Sequence, residues 1–164
     1  YTEFVKKKGY AAIPDTEVSR ALIDDAPTFD DFHDLVAWNI EKQGVTTEEI
    51  AARTGIADRT VTSLRAKNAG DIRHELNLLV ALAVGLHMMP EHAELLIHLN
   101  GQFLRKKKPI ERYYMYLLSI GSFYCVAACN DFLIRHGMPP LTDNDNIVHS
   151  IDFSFLGVAF ALKN

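Results

Sequence analysis

A chain of 164 residues, 48% hydrophobic and 23% charged, suits one globular domain of ordinary size and excludes a disordered polypeptide. The formal charge of −4 excludes a protein that is basic throughout. The deficit is local: residues 1–45 hold five Lys/Arg against nine Asp/Glu, whereas 46–75 hold five of each and 76–164 seven of each. No stretch approaches the roughly 20 apolar residues of a membrane span, and no signal peptide is visible, so no membrane partner is expected. Cys125 and Cys129 form no disulfide framework, which fits a reduced, cytoplasmic setting. The chain opens on Tyr1 rather than Met, as a processed product or a piece of a longer protein would.

Residues 1–30 mix polar and apolar positions without a period and carry two prolines, a leader with room for one short helix. "DDFHDLVAWNIEKQG" then places Phe32, Leu35, Val36 and Ile40 at helical spacing, with Gly44 where a helix stops. "TTEEIAARTGIADRTVTSLR" predicts two short helices, 47–54 and 58–67. "HELNLLVALAVGLH" puts Leu76, Leu79, Val80, Ala83 and Leu86 on one stripe, a fourth helix. A fifth begins at Pro90, a first-turn position, and ends on Gly101. Beyond the basic connection "QFLRKKKP", "IERYYMYLLSIG" and "SFYCVAACNDFLIRHG" predict a helical pair separated near Gly121 and stopped by Gly137 and Pro139–Pro140. The tail, 143–164, is apolar and ambiguous, since Ile151, Phe153 and Phe155 alternate like a strand while 151–162 could equally make a buried helix. The expected fold is all-α: a five-helix unit over 31–104, then a C-terminal helical extension over 109–142.

The spacing within 46–65 carries the functional signal. Two helices that meet steeply across a short turn need a small residue at their contact, and Ala51 is there. The turn needs a residue tolerant of positive φ, and Gly55 supplies it. Ile50 anchors the first helix, and Ile56, Val61 and Leu64 anchor the second. Asp58, Arg59, Thr62, Ser63 and Ala66 are left facing outward. Thr46 followed by Glu49 is a capping-box pattern.

In this order, Thr47, Glu48–Ala51, Thr54–Ile56, Ala57–Arg59, Val61 and Leu64 match the pattern of the Cro-like (XRE, phage-repressor-type) helix-turn-helix family. Residues 32–101 resemble that family, whose members are five-helix DNA-binding domains. Residues 109–142, with "CNDFL" and "GMPPL", resemble a helical extension on some such regulators from Gram-positive bacteria, sometimes encoded or fused behind a zinc metallopeptidase domain. The resemblance implies double-stranded DNA as partner and assigns Thr47 to a phosphate at a helix N-terminus. It places Asp58, Arg59, Thr60 and Ser63 at base edges in the major groove, beside the outward Thr62. Arg59 is the best reader, because a guanidinium can bond guanine O6 and N7 together for about 1–3 kcal/mol of discrimination. Asp58 is repelled by phosphates and serves only against a cytosine N4 donor. The helix ends "RAKNAG" where the family often has Glu-Asn-Gly, which assigns Arg65, Lys67 and Asn68 to the DNA backbone.

Other residues have plainer readings. "RHELN" lacks the second His of His-Glu-x-x-His, and His92 and His98 lie on different helix faces, so no metal or other cofactor is expected. The histidines read as surface or half-buried. Cys125 and Cys129 read as core thiols, Arg105–Lys108 as a solvated loop, and Trp38 as covered by the leader or the C-terminal helices. No nucleophile–base set or glycine-rich phosphate loop is present, and the chain is not expected to be an enzyme. Three functions stay open: a sequence-specific transcriptional regulator, a protein-interaction module with the same fold, and the non-catalytic region of a metallopeptidase-linked regulator. A single recognition helix reads few base pairs, so a homodimer is expected. Residues beyond 109, with Tyr113, Tyr114, Tyr116, Phe123 and Tyr124, are the candidate contact.

Overall fold

A computed structural model describes residues 28–120 and 124–148, and among these residues the chain is all-helical, with seven α-helices and no strand. The leader up to residue 27 and the ambiguous apolar stretch 151–162 lie outside the described residues. Helix α1, Phe32–Gln43, buries Phe32, Leu35, Val36 and Ile40 on the expected stripe and ends at Gly44 in the left-handed region (φ +66°). Helices α2, Thr47–Thr54, and α3, Asp58–Arg65, follow. A 3₁₀ turn at Ala69–Asp71 leads to α4, Leu76–Gly85, and α5, Pro90–Leu99. The extension supplies α6, Pro109–Ile120, α7, Val126–Arg135, and a 3₁₀ turn at Asn144–Asn146.

Helix α4 organises the core. A single apolar stripe is predicted for it, yet every residue from Leu79 to Gly85 is buried. The reason is that α2 and α5 cover one part of its surface while α6 and α7 cover the rest. A helix enclosed on all sides is hydrophobic all round, and Ala81, Leu82 and Val84 supply the apolar residues that the stripe omits. Gly85 allows the closest approach: a Cβ there would lie 2.4 Å from Thr54 Cγ2 of α2. The extension is therefore part of the same core, with Leu117, Val126 and Leu133 no more than 1% exposed.

Trp38 is half-buried beneath the rings of Phe29 (5.7 Å) and His92 of α5 (5.3 Å), with the Lys42 ammonium 5.0 Å over its face. Phe29, at the end of the leader, supplies part of the expected cover, and His92 of α5 supplies another part. The basic run is exposed throughout, as a solvated loop is, and buried Glu111 in the first turn of α6 fastens it. The Glu111 carboxylate accepts the Arg105 backbone N–H at 2.8 Å and pairs with Arg105 and Lys108 at 3.4 and 3.9 Å. Helix α7 begins at Val126, so Cys125 caps the helix from outside, and only Cys129 is fully buried. Burial pushes the Cys129 thiol up to about 12, and Cys125 adds to the rise.

Candidate nucleic-acid interface

The capping signal at Thr46 is realised at the start of α2. Its hydroxyl accepts the Glu49 N–H at 3.2 Å, and Glu49 Oε1 meets that same hydroxyl at 3.3 Å rather than the Thr46 backbone N–H of a full capping box. At the other end, Gly55 adopts φ +77°, and its N–H closes the last turn on Ala51 O at 2.9 Å. Ile56 (3% exposed), Val61 and Leu64 (both 0%) hold α3 to the core, and Ile50 (1%) holds α2. The apolar anchors all lie where their spacing placed them.

The polar residues divide into two groups. At the N-terminal end of α3, Asp58 and Arg59 are exposed, with Thr60 half-buried behind them. One turn on, Thr62 is exposed and Ser63 half-buried, and the Thr62 hydroxyl proton is committed to Asp58 O at 3.0 Å. The second group gathers at the opposite end. The Arg65 guanidinium donates to Thr47 Oγ1, joining the end of α3 to the first turn of α2. His33 Nδ1–H donates to Arg65 O at 3.0 Å and fixes the same corner from α1. Thr47 and Arg65 thus form one site, separated along α3 from Asp58 and Arg59. Asp58 in the first turn and Arg65 in the last also complement the helix dipole.

One boundary requires correction. The predicted recognition helix, 58–67, stops at Arg65, because Ala66 turns to extended backbone (ψ 150°). Lys67 and Asn68 are exposed but lie off the helix, and Asn68 begins the 3₁₀ turn. The histidines also differ from expectation, since two of those among the described residues are buried. His74 is 8% exposed, stacks on Phe32 at 5.7 Å and places Nε2 2.9 Å from Ala69 O, and His92 is 6% exposed. Among the described residues no group of three His, Cys, Asp or Glu is placed to hold a metal ion. No described helix is long and apolar enough to cross a membrane.

Sequence reasoning missed three participants. His33 belongs to the Arg65 corner, although nothing in its local pattern announces a contact 32 residues away. Thr142 and Val148 reach the end of α2, where they donate to Thr54 O and to Ala52 O (2.9 Å). The stretch assigned to the tail from residue 143 thus starts inside the folded body, with Ile147 only 5% exposed. Buried Asn130 offered one signal, because an amide inside an apolar helix needs partners, and those partners are Leu141, Thr142 and Asn144. No protein-family model, curated protein or solved structure matches this chain.

Proposed function

We propose that the chain is a sequence-specific DNA-binding transcriptional regulator of Cro-like helix-turn-helix design that presents α3 to the major groove as a homodimer. One observation carries the reading. Helices α2 and α3 and the turn between them bury all four apolar anchors, Ile50, Ile56, Val61 and Leu64, while Asp58, Arg59 and Thr62 stay exposed on α3. Arg59 is free of the core and can reach a base edge, the geometry that guanine recognition uses. Thr47 and Arg65 lie together at the N-terminus of α2, where unpaired N–H groups and a guanidinium suit a phosphate. Lys67 and Asn68 extend that backbone contact beyond the helix end.

The neutral charge of residues 46–75 sets the character of the binding. Non-specific affinity, which grows with neutralised phosphates, is weak, so discrimination rests on base contacts and on two copies acting together. The extension supports the dimer. Tyr116, Tyr124 and Ile134 are 51%, 46% and 56% exposed there, and aromatic residues are enriched in interface cores.

Selection of genomic fragments by the full chain, at a salt concentration of about 0.1 M, tests the reading. The expected product is an enriched sequence with two halves about one helical turn apart. Recovery of no enriched sequence at that salt or at half of it would overturn the proposal.

A further inference from the structure

The last four carbonyls of a helix have no partner within it. At the end of α2, two of the partners come from the far end of the described chain. Val148 N–H donates to Ala52 O at 2.9 Å, and the Thr142 hydroxyl donates to Thr54 O across 88 residues. Thr142 is in turn held by Asn130, which is wholly buried in α7. Asn130 Oδ1 accepts the N–H groups of Leu141 (2.8 Å) and Thr142 (3.2 Å), and its Nδ2 donates to Thr142 Oγ1 (3.2 Å) and Asn144 Oδ1 (2.8 Å). On the other side, wholly buried Thr54 donates its hydroxyl to Ile50 O at 2.7 Å and accepts the Ile56 N–H at 3.1 Å. Polar contacts therefore run from the middle of α7, through Thr142 and Thr54, to the residue where the chain turns into α3.

Gly55 makes room for this arrangement. A Cβ at Gly55 would lie 2.8 Å from Thr142 Oγ1 and 3.1 Å from Asp143 O. The turn glycine thus has two reasons to be glycine: its positive φ, and the backbone and hydroxyl pressed against it.

The geometry points to Asn130 and Thr142 as positioning residues for α3, with segment 141–148 fixing the angle at which the recognition face is offered. The functional part of this inference rests on the DNA reading above. It makes the DNA-reading unit larger than five helices, and it makes the packing of α7 a determinant of sequence discrimination.

The test uses the full chain carrying Thr142→Val, which removes the donor at similar volume, and Thr142→Ser, which keeps it. Losing one hydrogen bond and stranding a carbonyl predicts about tenfold faster amide exchange at Ile56 in Thr142→Val. Exchange at Leu96 and Leu117 is expected to stay as in the unaltered chain, and Thr142→Ser is expected to restore Ile56. On DNA, Thr142→Val is expected to lose about tenfold in affinity for the enriched sequence while random DNA is bound as before. Val148→Pro, which removes the N–H that meets Ala52, is expected to give the same pattern at smaller size and serves if Thr142→Val does not fold. Unchanged exchange at Ile56 overturns the inference. Faster exchange with unchanged discrimination, or with no rescue by serine, also overturns it. If the unaltered chain enriches no DNA, the DNA reading fails by itself. The exchange arm, which uses no DNA, still decides whether 141–148 holds α3 in place.

Discussion

The pair α2–α3 and the pair α6–α7 solve the same packing problem in opposite ways. The first pair buries its apolar anchors completely and exposes small polar and charged side chains. The second buries Leu117, Val126 and Leu133 as thoroughly but leaves Tyr116 and Ile134, with Tyr124 just before α7, about half exposed. Burial alone would not separate them, since both attach to α4. Their outer faces do. One presents charged and polar side chains to solvent and the other aromatic and aliphatic ones, and under the proposed function that contrast separates reading DNA from pairing two copies.

The sharpest way to break this comparison is to ask whether the two pairs share one core. Leu133→Ala removes a fully buried side chain of α7 and is expected to cost about 2–5 kcal/mol of stability. Urea unfolding followed at Trp38 and by helical circular dichroism should shift as a single transition. Two separated transitions would make the extension an independent domain.

Smaller effects sharpen the chemistry of each face. Arg59→Ala is expected to lose about 1–3 kcal/mol of discrimination between the enriched sequence and random DNA, with thermal stability unchanged. Lys67→Ala should instead weaken all DNA alike and flatten the salt slope by about one. Binding isotherms at several salt concentrations separate these outcomes, and equal losses on both DNAs for Arg59→Ala would remove it as a base reader.

Next comes the interior of the extension under alkali. The buried Cys129 thiol is raised to about 12, so above its ordinary range the unfolded chain releases that proton while the folded chain keeps it. Stability should therefore fall as pH rises above about 9, by about 1 kcal/mol per pH unit from this group. Burial and the nearby Glu111 also raise the Tyr114 phenol, which adds a loss of the same sign at higher pH. Denaturant midpoints of the unaltered chain and Cys129→Ala between pH 8 and 10 check it, and parallel profiles would refute the assignment. The smallest effect on stability belongs to the exposed face. Tyr116→Ser should change the denaturant midpoint by less than about 0.5 kcal/mol while shifting light scattering toward a monomer.

What the sequence made legible was local. The stripe of α1, the cap at Thr46, the turn at Gly55 and the anchors Ile56, Val61 and Leu64 each follow from neighbours within one or two helical turns. The end of α3 was not legible, because no glycine or proline marks Ala66, and the chain simply turns extended there. The enclosure of α4 was hidden because a stripe describes one face, and its second cover comes from helices more than 20 residues downstream. The partnership of Thr47 with Arg65 spans 18 residues and that of Thr54 with Thr142 spans 88, distances at which composition and periodicity carry no information.

That last contact also has a history during synthesis. Chains grow at about 5–20 residues per second, so α2 and α3 emerge from the ribosome many seconds before Thr142 and Val148 exist to cap them. Over that interval Ala52 O and Thr54 O are left to water, and closing the contact requires a long loop to be gathered first. The last two caps of α2 are therefore among the last contacts around the α2–α3 turn to form. A nascent chain can complete both caps at the end of α2 only once synthesis has passed Val148.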